Sequence, residues 1–271
     1  MSLALPLIMV AKKKYLEDFQ SGILYMKNCL CYQLLEEKDL QRGDKYDSAI
    51  SCGYDGYNLP DWVKQEVTNP RLMSSAPYIK CFFHYNPKDI KRVSEEAILL
   101  QLSNESAQDL LGFSEEYALF IGNPNELVKR FSYACNANGF IHDFSDVTYV
   151  EDKEYISYED IFKGVISGKN SGEVPVPVFR KRDRFHPQQE FRLAVFSSLE
   201  EVWEQNSEIA KVDYNTPIDL KRIISEEKES IEFKMQPIHD ISKIIKLSLL
   251  TDYSVIMNIA EERYYFGVYQ Q

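Results

Sequence analysis

Apolar and β-branched residues gather in eight short runs along the chain, and polar or turn-forming residues separate these runs. Short runs of this composition are typical of β-strands. The eight runs lie at residues 23–27, 78–85, 117–121, 147–150, 174–179, 191–196, 231–235 and 264–269. The pattern therefore predicts a protein that is rich in strands.

Three further segments carry apolar residues at helical spacing and are predicted to be helices: 87–102, 123–134 and 240–247. In the first segment, one stripe contains Ile90, Val93, Ala97 and Leu100.

Two of the predicted helices have start signals. Asn123 is a candidate N-cap with Pro124 in the first turn, and Asn138-Gly139 is a candidate end of the same helix. Asp240 is the candidate cap of the helix at 240–247.

Strands and helices interleave without the regular strand–helix–strand alternation of a parallel sheet. The order favours a mixed α+β fold with a largely antiparallel sheet and helices packed on it. No repeat and no long Gly/Ser linker interrupts the chain, so we expect one domain over residues 1–271. A content of 44% hydrophobic and 27% charged residues is typical of a folded protein with a core.

The formal net charge of −11 argues against a protein that coats nucleic acid or an anionic membrane with its whole surface. No apolar run approaches the ~20 residues needed to span a bilayer. At the N-terminus, Lys12, Lys13 and Lys14 follow the apolar run, which is the reverse of a secretory signal. We therefore expect a cytoplasmic protein.

The candidate metal ligands are scattered. The five cysteines form no C-x-x-C pair, and the four histidines are far apart in sequence. Buried thiols without a metal site are the expectation, with Cys81 placed in the apolar run at 78–83.

One stretch has the opposite charge from the rest of the chain. Residues 180–192 contain two acidic residues, Asp183 and Glu190, and five basic ones. The basic residues are Arg180, Lys181, Arg182, Arg184 and Arg192. A local charge of +3 inside an acidic chain predicts a place where an anion binds.

If residues 190–196 form a strand, Glu190 and Arg192 share one face, and the apolar residues that alternate with them share the other. Arginine forks bind phosphate or carboxylate groups, and Glu190 is either an acid/base candidate or the residue that orients Arg192. The alternative is that these arginines form structural ion pairs, and the sequence leaves both readings open.

A polar turn at residues 42–47 is the second candidate part of the site. It carries Asp44 and Asp47, with Gly43 at the turn. A solvated loop is the alternative interpretation.

Short motifs across most of the chain resemble a family of uncharacterised bacterial and bacteriophage domains. In that family an acidic turn follows an early strand, and a late Glu-aromatic-Arg strand follows a basic one. The matching stretches here are 15–27, 34–36, 42–47, 179–193 and 240–244. The resemblance implies a phage or mobile-element protein, and no activity accompanies it.

The triplet Gln188-Gln189-Glu190 is similar to the late-strand Gln-x-Glu motif of mono-ADP-ribosyltransferases. Ser74-Ser75 stands in the place of the Ser-x-Ser motif of that family. This resemblance implies that Glu190 is catalytic.

Two functions follow. In the first, the protein is an enzyme that acts on a nucleotide or other phosphorylated ligand. Arg180, Arg182, Arg184 and Arg192 bind the ligand, and Glu190 provides polar chemistry against Asp44 and Asp47. In the second, a non-enzymatic interaction protein docks a host protein through the basic strand or an exposed aromatic patch, since the chain has 18 Tyr and 15 Phe. A deep pocket lined by Glu190 and Arg192 would favour the ligand, whereas a flat basic ridge would favour docking.

Overall fold

A computed structural model describes most of the chain. The described residues are 5–29, 31–32, 49–50, 71–72, 77–85, 89–92, 94–150, 177–196, 229–251, 254–258 and 263–267.

Within these ranges the chain forms strands, α-helices and two 3-10 turns. The strands are β1 (Leu7–Val10), β2 (Ile23–Asn28), β3 (Ala49–Ile50), β4 (Arg71–Leu72), β5 (Tyr78–His84), β6 (Ile90–Arg92), β7 (Ala97–Leu100), β8 (Tyr117–Ile121), β9 (Ile141–Asp146), β10 (Thr148–Val150), β11 (Arg180–Arg182), β12 (Glu190–Phe196), β13 (Ser230–Lys234), β14 (Ser242–Lys246), β15 (Ser254–Asn258) and β16 (Arg263–Gly267). The helices are α1 (Lys13–Gln20), α2 (Asn104–Gly112), α3 (Pro124–Ala137) and α4 (Ser248–Thr251), and the 3-10 turns are Pro177–Phe179 and Asp183–Gln188.

The largest sheet has eight antiparallel strands. Its main path is β13-β2-β5-β1-β8-β14, and β12 pairs with the other edge of β5 and carries β9 beyond it. A four-stranded sheet has the order β16-β15-β7-β6, β10 and β11 form a parallel pair, and β3 pairs with β4. The α+β fold with a largely antiparallel sheet is thus confirmed.

The large sheet forks along one edge of β5. β2 pairs with the beginning of this edge, at Tyr78 and Ile79, and β1 pairs with its end, at Phe83 and His84. Neither β1 nor β2 pairs with residues 80–82 of β5. The helix α1 connects β1 to β2. On the opposite edge, β12 pairs continuously with β5 from Tyr78 to Phe83. The fork therefore leaves a gap beside β5 where other side chains can converge.

Apolar side chains bury both faces of the large sheet. One core lies under α1 and α3 and includes Leu16, Phe19, Phe82, Leu127, Phe131 and Leu193. The second core joins the other face to α2 and the four-stranded sheet and includes Ile8, Phe83, Leu100, Leu110, Phe120 and Val255. Burial of each such side chain contributes roughly 1.5–3 kcal/mol. None of the helices within the described ranges is long and apolar enough to span a membrane.

The helix α3 confirms the prediction at 123–134. The Asn123 side chain accepts a hydrogen bond from the Glu126 backbone amide at 3.1 Å, and Pro124 occupies the first turn. A cap of this kind contributes about 1 kcal/mol. The helix ends where Gly139 takes a φ of +71°.

Seven of the eight predicted strands overlap observed ones, and the exception is 174–179. Residues 177–179 form a 3-10 turn instead, and residues 174–176 lie outside the described part. The turn places the Val178 carbonyl against the Arg192 guanidinium, which donates to it at 2.7 Å.

The predicted helix at 87–102 is wrong. Its described residues form the hairpin of β6 and β7, with a bend at residues 94–96. Leu99 is buried although it lies outside the proposed helical stripe. Pairing of β7 with β15, about 150 residues further along the chain, determines that this segment forms strands rather than a helix. The helical spacing of its apolar residues carries no information about that partner.

The predicted helix at 240–247 is also wrong, because residues 242–246 form β14 and pair with β8. Asp240 does not cap a helix. Its carboxylate accepts two hydrogen bonds from the Arg130 guanidinium of α3, at 2.7 and 2.6 Å. The long-range ion pair replaces the predicted local cap.

Candidate functional site

A cavity of about 380 Å³ lies at the fork of the sheet. Its lining comes from the end of β1, the start of α1, the middle of β5, the end of α2 and the segment leading into β12. Lys80 and Phe82 reach it from one face of the sheet, and Cys81 and Phe83 reach it from the other. The cavity therefore extends through the gap between β1 and β2.

The charged lining of this fork cavity is mainly basic. Among the described residues that line it, five are basic and three are acidic, in a chain whose net charge is −11. The basic residues are Lys12, Lys27, Lys80, Lys181 and Arg192. The acidic residues are Asp109, Glu115 and Glu190. The cavity also adjoins the start of α1, where the partial positive charge of the helix lies.

Three of these charged side chains form a buried cluster, which we term the Lys-Glu-Arg cluster: Lys181, Glu190 and Arg192. Glu190 accepts from the Lys181 ammonium at 2.6 Å through Oε1, and from Arg192 Nε at 2.8 Å through Oε2. Lys181 also donates to the Gln188 side chain at 2.6 Å. Arg192 is 1% exposed and Lys181 is 4% exposed. Two cations and one carboxylate give the cluster one excess positive charge.

The cluster keeps Glu190 ionised. Burial alone would raise the pKa of Glu190, but the charges and hydrogen bonds of Lys181 and Arg192 prevail and lower this pKa to about 2. Efficient proton transfer at neutral pH needs a group whose pKa is closer to 7. Of the two roles proposed from the sequence, this environment favours orientation of Arg192 over acid/base catalysis.

The backbone around Glu190 explains the position of the cluster. Gln189 takes a left-handed conformation, with φ of +42°, and ends the 3-10 turn immediately before β12. The Glu190 amide donates to the hydroxyl of Tyr149 at 2.8 Å. Alternation along β12 then places Glu190 and Arg192 on one face, as predicted. The apolar face carries Phe191, Leu193 and Val195, which pack in the core under α1 and α3.

The other three predicted arginines are not among the residues that line the fork cavity. Arg180 is partly buried, Arg182 is buried and Arg184 is exposed. The guanidinium carbons of Arg182 and Arg184 lie 5.5 and 4.5 Å from the centre of the Phe185 ring. Stacking on an aromatic ring is a common arrangement for arginine. The structure thus brings Glu190 and Arg192 together and places Arg180, Arg182 and Arg184 outside the cavity lining.

Sequence reasoning missed Lys80 and did not select Lys181. Lys80 lies on β5, and its ammonium is 4.9 Å from the centre of the Phe19 ring. Burial lowers the pKa of Lys80 to about 8. A lysine inside the apolar run at 78–83 was the available signal. Lys181 belongs to the basic segment that the sequence singled out, and like Arg192 it bonds directly to Glu190.

Several predicted positions lie outside the described residues. They are Asp44, Asp47, Cys52, Ser74 and Ser75. Among the cysteines that the structure does describe, Cys29, Cys31 and Cys135 are buried and Cys81 is partly buried. Burial raises the pKa of the Cys135 thiol to about 12. Across the described part of the chain, no group of three His, Cys, Asp or Glu side chains is placed to hold a metal ion.

No family model, curated protein or solved structure matches the chain. The two family resemblances therefore stay predictions.

Proposed function

We propose that the fork cavity binds a small phosphorylated ligand, with a nucleotide as the leading class. The observation that carries the proposal is that the described residues lining the cavity include five basic and three acidic side chains, in a chain of net charge −11. In a cleft with low-dielectric walls, such an excess attracts and concentrates anions.

The Lys-Glu-Arg cluster supports this proposal because it holds its cations in a fixed geometry. Glu190 fixes the guanidinium of Arg192 from one side, and the Val178 carbonyl fixes it from another. A cation that is already ordered loses less side-chain entropy when an anion binds. The excess positive charge of the cluster favours an anion in the adjoining cavity.

The size and the aromatic lining favour a ligand with a planar group. Ligand cavities commonly measure roughly 300–1,000 Å³, and the fork cavity lies within that range. Tyr15, Tyr32 and Phe113 contribute rings to the lining. A nucleotide combines a phosphate with a planar base, which suits a cavity that combines cations with aromatic rings.

The burial of the basic segment argues against the alternative function in which it docks a protein. Lys181 and Arg182 are both buried, so the segment at 180–192 does not form a flat exposed ridge. Of the two functions that the sequence allows, ligand binding receives the stronger support from this geometry.

Calorimetric titration with ADP, GDP, NAD and inorganic phosphate tests the proposal. We expect at least one of these anions to bind, and we expect Lys27→Glu to weaken its binding about tenfold, equivalent to about 1.4 kcal/mol. The reason is that Lys27 lines the cavity and is not part of the Lys-Glu-Arg cluster. Lys243→Glu is the matched control. Lys243 is exposed on β14, and this substitution changes the net charge by the same amount as Lys27→Glu does.

Failure of all four anions to bind the wild-type protein would refute the proposal. Equal weakening by Lys27→Glu and Lys243→Glu would also contradict it, because the effect would then come from overall charge rather than from the cavity.

A further inference from the structure

Lys80 has different surroundings from the cations of the Lys-Glu-Arg cluster. It lies in the middle of β5 opposite Leu193, and its ammonium packs over the ring of Phe19. In the part of the chain that the structure describes, no carboxylate forms an ion pair with Lys80, whereas Lys181 and Arg192 both pair with Glu190.

Burial disfavours the charged form of Lys80, because it removes water from the ammonium. A pKa of about 8 follows from this burial, so neutral amine is present near physiological pH. A neutral amine that faces a ligand cavity is a nucleophile for carbonyl groups.

We propose that Lys80 forms an imine with an aldehyde or ketone group of a phosphorylated ligand in the fork cavity. This inference rests on the proposed function, because the remaining cations hold the phosphate. The amine adds to the carbonyl carbon, a proton moves from nitrogen to oxygen, and water leaves. A C=N bond replaces the C=O bond, and the step needs no oxidant or reductant.

The shape of the cavity suits a ligand whose carbonyl group and phosphate group lie at opposite ends. Lys80 reaches the cavity from the face of the sheet that packs against α1. Arg192 reaches it from the opposite face, since it pairs with Cys81, the next residue along β5. A ligand that passes through the fork would therefore present its carbonyl to Lys80 and its phosphate to the Lys-Glu-Arg cluster.

Reductive trapping tests the inference. The full chain is incubated with pyridoxal 5′-phosphate and sodium cyanoborohydride at pH 7.5, and the rate of adduct formation at each lysine is followed by peptide mass spectrometry. We expect Lys80 to react at least about tenfold faster than the exposed reference residues Lys13 and Lys129. Pyridoxal, which lacks the phosphate, should label Lys80 at least about tenfold more slowly than pyridoxal 5′-phosphate does.

Equal labelling of Lys80 and the reference lysines would overturn the inference, and so would equal rates with pyridoxal and its phosphate. Lys80→Arg keeps a cation but forms no imine, so calorimetry on this variant separates the two proposals. If an anion binds to it and the wild-type protein still gives no adduct at Lys80, the imine inference alone fails. If no anion binds to the wild-type protein or to Lys80→Arg, both the proposed function and the imine inference fail.

Discussion

Replacement of Glu190 by Gln is expected to lower the free energy of unfolding by about 3–5 kcal/mol, because it leaves Lys181 and Arg192 as buried cations without their carboxylate. Gln has nearly the same shape as Glu, so the loss reports charge rather than a cavity. Urea denaturation of the wild type and Glu190→Gln measures the difference.

Lys181→Met is the informative companion variant. It removes one cation and leaves Glu190 paired with Arg192, so the buried cluster becomes neutral. Glu190→Gln leaves the same cluster with two positive charges. We therefore expect Lys181→Met to cost less than Glu190→Gln, and the double variant to be more stable than Glu190→Gln alone. The opposite order would show that electrostatics does not govern this cluster.

The pH dependence of stability provides a separate prediction. Since the pKa of Glu190 is lowered from 4.5 to about 2 in the folded protein, its contribution is fully present above pH 4.5. The contribution is lost as the pH falls from 4.5 towards 2, because protons then bind the unfolded chain more readily. The stability difference between the wild type and Glu190→Gln should shrink over this window. A constant difference from pH 7 to pH 3 would contradict the assignment.

Local signals predicted those parts of the fold that local chemistry determines. The cap at Asn123 and the proline after it specify the start of α3 without reference to any other element. The run at 117–121 coincides with β8, which pairs with β1 on one side and β14 on the other and has four buried residues. By contrast, β7 and β14 have apolar spacing that fits either a helix or a strand, and distant partners decide between them.

The candidate site was predictable to a similar degree. Alternation along β12 placed Glu190 and Arg192 on one face, and the unusual local charge directed attention to that segment. The cavity itself depends on β1 and β2 both pairing with one edge of β5, which is a long-range property of the sheet. The role of Lys80 follows from that fork, so its sequence position alone gave little indication of it.

The geometry of the fork also depends on the turn between α1 and β2, where Gly22 has a φ of +95°. A Cβ at this position would lie 2.2 Å from the carbonyl oxygen of Met235, which is a backbone atom. The Met235 amide in turn donates to the Gly22 carbonyl at 2.8 Å, and the Ile238 amide donates to the Gln20 carbonyl at 2.9 Å. Backbone hydrogen bonds thus hold residues 20–22 against residues 235–238.

Gly22→Ala is therefore expected to cost about 4 kcal/mol or more in unfolding free energy, since it adds a backbone overlap to an unfavourable φ. Gly139→Ala is the matched control: Gly139 has a φ of +71°, but a Cβ there would contact nothing within 4 Å. In Gly139→Ala only the unfavourable φ should lower the free energy of unfolding, by about 1–2 kcal/mol. Thermal and urea unfolding of both variants measure the difference. Equal losses would show that the turn yields to the added methyl group, and that close packing against residues 235–238 does not fix how α1 and β2 approach the fork.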